Sequence, residues 1–140
     1  MDLERSSGGS LPGIGETSLV LIIDSNADSL WLATQILSLC GCLPIPATNG
    51  LEALKILQQK QPSLILSELM LSDIDGIELV KQVRQIAIAT PIVAVTTLWQ
   101  YPYLELAALA GCNGLLKKPY EVEELAAIAA NYLSLPPFPS

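Results

Sequence analysis

Two hydrophobic periods alternate along the chain between residues 19 and 133. Short apolar runs rich in β-branched residues are typical of strands that are buried on both faces of a parallel sheet. Between them lie longer segments whose apolar positions recur every three or four residues, as in amphipathic helices. The runs predict strands at residues 19–23, 43–47, 64–68, 91–95 and 114–117. Each strand precedes a helix, which predicts an α/β fold with a doubly wound, five-stranded parallel sheet and helices on both faces.

The same periodicity assigns a buried face to the helices. In the first helix, which Gly41 ends, the residues predicted to face inward are Ser29, Leu32, Ala33, Ile36, Leu37 and Cys40. The opposite face, predicted to be exposed, carries Leu30, Trp31, Thr34, Gln35 and Ser38. In the second helix the predicted apolar face is Leu51, Ala53, Leu54 and Leu57. The fourth helix is predicted at residues 104–110, after an aromatic segment that contains Trp99, Tyr101 and Tyr103.

Polar residues end or directly follow four of the predicted strands at their carboxyl ends. They are Asp24 and Ser25, Glu68, Thr96 and Thr97, and Lys117 or Lys118. Open parallel sheets bind their ligands beyond these ends, so we expect the functional site there. Asp73 and Asp75, in the loop after the third strand, are predicted to shape the turn and cap the next helix.

Charge is sparse and mostly negative. The net charge is -7, charged residues make up 15% of the chain, and hydrophobic residues make up 51%. A phosphate backbone would be repelled, so we expect no binding to nucleic acid. From Ser29 to Leu51 no residue is charged, and from Gln85 to Leu116 only Glu105 is. Because ordinary surfaces carry more charge, we predict contact with another protein or with a second copy.

The chain has no histidine, which excludes the serine–histidine and cysteine–histidine mechanisms. The three cysteines, Cys40, Cys42 and Cys112, show no zinc-binding pattern and are predicted to be reduced and semi-buried. No charged n-region precedes an apolar h-region at the start, and no apolar stretch is long enough to span a bilayer. We therefore expect a cytoplasmic protein without membrane contact.

The order of the polar motifs carries a resemblance to a known family. Asp24 follows the first strand, Glu68 follows the third strand ahead of a D-x-D-G sequence that ends at Gly76, Thr96 follows the fourth, and Lys118-Pro119 follows the fifth. This order resembles the response regulator receiver domain of two-component signalling, the CheY-like fold, over residues 18–134. The resemblance implies the strand order 2-1-3-4-5. Outside it, residues 1–17 are predicted to form a flexible arm and residues 135–140 a Pro-rich tail.

In that family, two acids after the first strand and an acceptor aspartate after the third hold a magnesium ion, and the aspartate accepts a phosphoryl group from a phosphohistidine. By resemblance, Asp24 matches the first acid, Ser25 replaces the second, and Glu68 stands at the acceptor position. The loss of one carboxylate implies only weak magnesium binding, by Asp24, Glu68 and the carbonyl of Met70. No other cofactor is expected.

Four further positions are assigned by the resemblance. Thr96 matches the threonine and Lys118 matches the lysine that bind the phosphoryl oxygens. Pro119 implies a cis peptide bond after Lys118. Leu115 stands where the family carries its switch aromatic, so the usual readout of phosphorylation is expected to be missing.

Glu68 carries its carboxylate about 1.5 Å farther than an aspartate would, which disfavours in-line attack. The carboxylate could instead reach Lys118 or Thr96 in a charge-assisted contact. Such a contact would fix the site in one conformation, either an activated-like or an inactive-like one. A solvated Glu68 without a role is the remaining alternative.

We therefore predict a stand-alone, non-enzymatic pseudo-receiver that signals by protein–protein interaction, since no output domain follows Ser134. A magnesium-dependent phosphorelay receiver is the alternative. A flavodoxin-like cofactor enzyme is disfavoured because no Gly-rich loop follows the first strand. The predicted surface for a histidine kinase or an effector comprises Trp99, Tyr101, Tyr103 and the last two helices, although Tyr103 could equally serve in packing. A homodimer that includes the Trp31 face is a further possibility.

Overall fold

The structure is a computed structural model that describes residues 18–135. The predicted arm at residues 1–17 lies outside the described residues, as does the predicted tail beyond Leu135. Five strands alternate with five helices. The strands are β1 (Leu19–Ile23), β2 (Leu43–Ala47), β3 (Leu64–Ser67), β4 (Ile92–Thr96) and β5 (Gly114–Lys117). The helices are α1 (Ala27–Leu39), α2 (Gly50–Leu57), α3 (Gly76–Ile86), α4 (Tyr101–Ala110) and α5 (Val122–Leu133).

All strand pairs are parallel, and the sheet order is β2-β1-β3-β4-β5. This arrangement confirms the predicted doubly wound sheet and its strand order. In β2, which lies at the edge as predicted, Pro44 and Pro46 lack the N–H groups that a central strand would need. The register places Ile23 of β1 beside Ser67 of β3, so the residues that follow these two strands emerge side by side.

Alternate residues of the strands enter two hydrophobic cores, one on each face of the sheet. Leu21 and Ile23 of β1 face a core that includes residues of α2, α3 and α4. Val20 and Ile22 face a core that is built with α1 and α5. Burial on both faces explains why the strands are continuous apolar runs rather than alternating ones.

The predicted face of α1 is partly wrong. Leu30 is buried and Leu32 is exposed, whereas the periodicity placed them the other way round. The residues of α1 that pack on the sheet are Leu30, Ala33, Ile36 and Leu37. Leu51 is likewise exposed rather than buried in α2. Both helices carry more apolar residues than one face can bury, so spacing alone does not determine which of them turn inward.

The start of α4 also differs from the prediction. The helix begins at Tyr101, three residues earlier than expected, so Tyr101 and Tyr103 lie in its first turn. Pro102 suits this position because the first N–H groups of a helix need no intrahelical acceptor. The prediction had treated the proline as part of the preceding segment.

Among the described residues, no helix is long and apolar enough to cross a lipid bilayer. The three cysteines are free thiols, and Cys42 is buried. Burial raises the pKa of the Cys42 and Cys112 thiols to about 11. Both groups are therefore protonated and unreactive near neutral pH.

Candidate functional site

The polar ends of β1, β3 and β5 meet at one edge of the sheet. The Asp24 N–H donates to Ala47 O at 3.0 Å, and the Glu68 N–H donates to Ile23 O at 2.9 Å. The Lys118 N–H donates to Thr96 O at 2.9 Å, which continues the pairing of β5 with β4 beyond the last strand residue. Backbone hydrogen bonds therefore fix each of these three site residues relative to the neighbouring strand.

Lys118 bridges the two acids of the site. Its Nζ lies 2.6 Å from Asp24 Oδ2 and 2.8 Å from Glu68 Oε1. Only 13% of the Lys118 side chain is exposed, and the two carboxylates are less exposed still. Burial alone would lower the pKa of the Lys118 ammonium, but its bonds to Asp24 and Glu68 outweigh that effect and raise it. Lys117 is exposed, so Lys118 is the lysine that the structure brings to the site.

The second carboxylate oxygen of Glu68 turns back onto its own backbone. Glu68 Oε2 accepts hydrogen bonds from the N–H groups of Leu69 at 2.7 Å and Met70 at 3.1 Å. Asp24 is satisfied in the same manner, because its Oδ1 accepts from the Asn26 N–H at 2.9 Å. Both acids thus have each oxygen engaged by a cationic or backbone donor within the protein.

The remaining predicted site residues lie around this centre with other partners. Thr96 is buried, and its Oγ1 accepts from the Leu98 N–H at 3.0 Å. Of the two contacts that the sequence suggested for Glu68, the structure therefore shows the one to Lys118. The Lys118–Pro119 peptide bond is cis. Leu115 is half-buried and packs against the core that α2, α3 and α4 share.

Ser25 is engaged outside the acidic centre. Its Oγ accepts a hydrogen bond from the Ser72 N–H at 3.0 Å, and its hydroxyl donates a hydrogen bond to Ser72 Oγ at 3.1 Å. The residue at the position of the second acid thereby ties the loop after β1 to the loop after β3.

Asp73 and Asp75 both act as helix caps, but on different helices. Asp75 is the N-cap of α3 and accepts from the Glu78 N–H at 3.1 Å, as predicted. Asp73 instead accepts from the N–H groups of Gly50 and Leu51, each at 2.9 Å, at the start of α2. These bonds lower the pKa of the Asp73 carboxyl. Sequence reasoning missed the cross-loop role of Asp73, since no local pattern links residues so far apart in the chain.

A magnesium ion fits this donor set poorly. Magnesium needs carboxylate oxygens that are free to face it in near-octahedral geometry. Here one oxygen of Asp24 and one of Glu68 face the Lys118 ammonium, and the Ser25 hydroxyl is bonded to Ser72. In the part of the chain that the structure describes, no cluster of three His, Cys, Asp or Glu residues could hold a metal ion.

The sequence that forms this fold and site matches a known protein family. Residues 20–130 match the family described as the response regulator receiver domain. The chain belongs to the response regulator receiver family. The matched range covers the sheet except for Leu19 and includes nine of the twelve residues of α5. The motifs at the strand ends therefore all lie within the residues that carry the family assignment.

Relatives of similar length include signalling receivers. The chain is 30% identical over 121 residues to an uncharacterized protein of Leptolyngbya boryana, and the aligned region covers 84% of this chain and 92% of that protein. It is 28% identical over 120 residues to the polar-differentiation response regulator DivK of Brucella anthropi, covering 81% and 94%. By contrast, it spans about a quarter of the DNA-binding transcriptional regulator NtrC of Escherichia coli.

Solved receivers have the same fold. A two-component response regulator from Clostridium difficile superposes with a TM-score of 0.81 at 30% identity, covering 84% of this chain and 97% of that one. The chemotaxis response regulator CheY4 of Vibrio cholerae gives a TM-score of 0.79 at 27% identity, covering 84% and 100%. The CheY-like fold and the receiver family are therefore shown by sequence and by structure.

Proposed function

We propose that this receiver is a pseudo-receiver of two-component signalling, with Glu68 as a built-in substitute for a phosphorylated acceptor, and that it acts by binding other proteins rather than by catalysis. The observation that carries the proposal is the bridge of Lys118 between Asp24 and Glu68. In the family, the lysine binds a phosphoryl oxygen after the acceptor is phosphorylated. Here an oxygen of the Glu68 carboxylate contacts the lysine ammonium instead.

The contacts of the second Glu68 oxygen support the same proposal. A phosphoryl group carries several anionic oxygens, which bind to backbone N–H groups and to ammonium groups. Glu68 presents two oxygens, one to Lys118 and one to the N–H groups of Leu69 and Met70. The longer side chain therefore satisfies donors of both kinds without a phosphoryl group. Thr96 does not join this network, and Leu115 offers no aromatic readout, so we propose a fixed site rather than a switch.

Partners are proposed to dock on the aromatic start of α4 and on α5. Tyr101 is 74% exposed, and Trp99 and Tyr103 are more than one third exposed. Aromatic side chains are enriched at the energetically important centres of protein interfaces. Large exposed residues on α4, including Leu109, extend this surface. A histidine kinase or a downstream effector is the proposed partner, in the cytoplasm, where three reduced cysteines are stable.

A phosphodonor experiment tests the pseudo-receiver proposal. The wild-type chain is incubated with magnesium and a small phosphodonor and examined by intact-mass spectrometry. We expect no covalent phosphoryl group on the wild type, because Glu68 displaces its carboxylate and magnesium is poorly held. The double variant Ser25→Asp with Glu68→Asp restores both acids and is expected to gain one phosphoryl group. Ser25→Asp with Glu78→Asp, at an exposed glutamate of α3, is the matched control and should gain none.

Two outcomes would contradict the proposal. A phosphorylated wild type whose modification disappears in Glu68→Gln would establish the alternative, a working phosphorelay receiver. A double variant that stays unmodified would show that Ser25 and Glu68 do not account for the loss. A magnesium titration followed by Trp99 fluorescence, in a Trp31→Phe background, separates the binding of the ion from the chemistry, since the chain has two tryptophans. We expect saturation at far lower magnesium in the double variant.

A further inference from the structure

An open groove lies next to the acidic centre, between the loop after β3 and the start of α4. We call it the Met70 groove. Its volume is about 520 Å³. The apolar residues that line it are Leu69, Met70, Leu71, Ile74, Leu98 and Tyr103. Met70 is 57% exposed, and Tyr103 is 40% exposed, so apolar surface is available in a concave site.

The polar part of the lining is acidic. Asp73 and Asp75 contribute to it, together with Ser72, and neither lysine nor arginine lines the groove. Both side chains are exposed, and they accept backbone hydrogen bonds at the starts of α2 and α3. The chain as a whole has a net charge of -7, which attracts cationic partners. An occupant of this groove is therefore expected to combine an apolar side chain with positive charge.

The wall of the groove is held in place before any partner arrives. The Gly76 N–H donates to Leu69 O at 3.1 Å, and Met70 pairs with Asp75 in an antiparallel bridge, which closes the loop at its base. A Cβ on Gly76 would lie 2.3 Å from Leu69 O, so only glycine permits this approach. Glu68 fixes the N–H groups of Leu69 and Met70 from the other side. A preformed wall lowers the ordering cost of binding.

We propose that the Met70 groove docks a segment of a partner protein that carries an apolar side chain flanked by lysine or arginine. The apolar residue lies against Met70 and Tyr103, and the cations lie beside Asp73 and Asp75. The inference deepens the proposed function, since it names the chemistry of a partner, and Glu68 connects the site to the groove wall through the Met70 N–H. A second copy of this acidic chain is a poorer occupant because like charges would face one another.

Fluorescence anisotropy with two dye-labelled peptides of equal length tests the inference. One peptide alternates leucine and lysine, and the other alternates leucine and glutamate. Met70→Gln removes the apolar contact, and Asp75→Asn removes a charge while an asparagine can still cap α3. Ile88→Gln and Asp28→Asn make the same chemical changes at exposed positions outside the groove and outside α4 and α5. We expect the lysine peptide to bind about tenfold more weakly to Met70→Gln and about threefold more weakly to Asp75→Asn.

The two controls are expected to bind the lysine peptide as the wild type does, and the glutamate peptide is expected not to bind. Equal losses of lysine-peptide binding in Asp75→Asn and Asp28→Asn would mean that diffuse attraction by net charge explains the effect, and this would overturn the inference. Unchanged binding of the lysine peptide to Met70→Gln would also overturn the inference. Self-association of the wild-type chain that Met70→Gln abolishes would overturn it as well. Phosphorylation of the wild type would contradict the proposed function but leave these binding results intact, so the two failures are distinguishable.

Discussion

The ammonium of Lys118 compensates two carboxylates that lie almost completely out of solvent. Asp24 and Glu68 each direct one oxygen at it, and their other oxygens accept backbone N–H groups. Removing one member of a buried ionic cluster leaves the opposite charge without compensation, and this costs more than the cluster contributes as a whole. The stability of the site therefore depends on Lys118 more than on either acid.

Lys118→Met should lower the free energy of unfolding by about 3 kcal/mol, because Asp24 and Glu68 lose their counter-charge while they remain buried. Urea denaturation followed by circular dichroism measures the change. Lys117→Met alters the neighbouring, exposed lysine and should cost less than about 0.5 kcal/mol. Equal losses in the two variants would show that the bridge contributes nothing. Adding Glu68→Gln to Lys118→Met should recover part of the loss, since one uncompensated charge is then removed.

Alkaline pH should lower the free energy of unfolding through the deprotonation of Lys118 and Tyr120. Bonds to Asp24 and Glu68 outweigh burial and raise the pKa of Lys118, and burial raises the pKa of Tyr120. When the pKa of a group is higher in the folded chain than in the unfolded chain, the group contributes fully to stability at any pH below its unfolded pKa, which is about 10 for both residues. This contribution is lost as the pH rises from the unfolded pKa through the folded pKa. In urea titrations between neutral pH and strongly alkaline pH, the deficit of Lys118→Met should therefore shrink above about pH 10. A constant deficit would contradict this linkage.

At the scale of secondary-structure elements, Asp73 joins α2 to the loop that precedes α3. Asp73→Ala removes the acceptor for the N–H groups of Gly50 and Leu51, so these two amides should exchange with deuterium faster. Asp28→Ala, in the first turn of α1, is the control and should leave both amides unchanged. The bonds also lower the Asp73 pKa, so the protection they give is present above the unfolded pKa and is lost as acid protonates the group. Equal exchange in wild type and Asp73→Ala would contradict the cap.

The elements themselves could be predicted well from the sequence, and their faces less well. Continuous apolar runs and the helical spacing between them identified every strand and helix of residues 18–135. In α1, however, Trp31, Leu32 and Leu39 are apolar but exposed, so the inward face could not be separated from the outward one. The start of α4 was missed because Pro102 is compatible with both a loop and a first helical turn. Tertiary packing, rather than local preference, decides such cases.

For the molecule as a whole, the parallel topology explains why a distributed site could be predicted. Parallel strands deliver their carboxyl ends to one edge, so Asp24, Glu68 and Lys118 converge although they lie far apart in the chain. Which partner each side chain selects was beyond the sequence. The contact of Glu68 with Lys118 rather than Thr96, and that of Ser25 with Ser72, depend on rotamers and loop positions that hydrophobic periodicity does not encode.

Charge distribution over the whole surface leads to a final prediction, on self-association. Two copies with a net charge of -7 repel each other over most of their surfaces, but no residue from Ser29 to the end of α1 and through the start of β2 is charged. Trp31 on this face is 64% exposed, and Leu39 and Leu43 are also exposed. We therefore expect a weak homodimer through α1, visible in sedimentation velocity as an apparent mass that rises with protein concentration.

Trp31→Glu should keep the chain monomeric at every concentration, because it introduces a like charge at the centre of the interface and removes an aromatic contact. Its exposure means that the fold should tolerate the change, which circular dichroism verifies. Leu109→Glu places the same charge on exposed α4 and should leave the association intact. If Leu109→Glu rather than Trp31→Glu abolished the association, the copies would meet through α4. A wild type that stays monomeric at every concentration would contradict the predicted dimer.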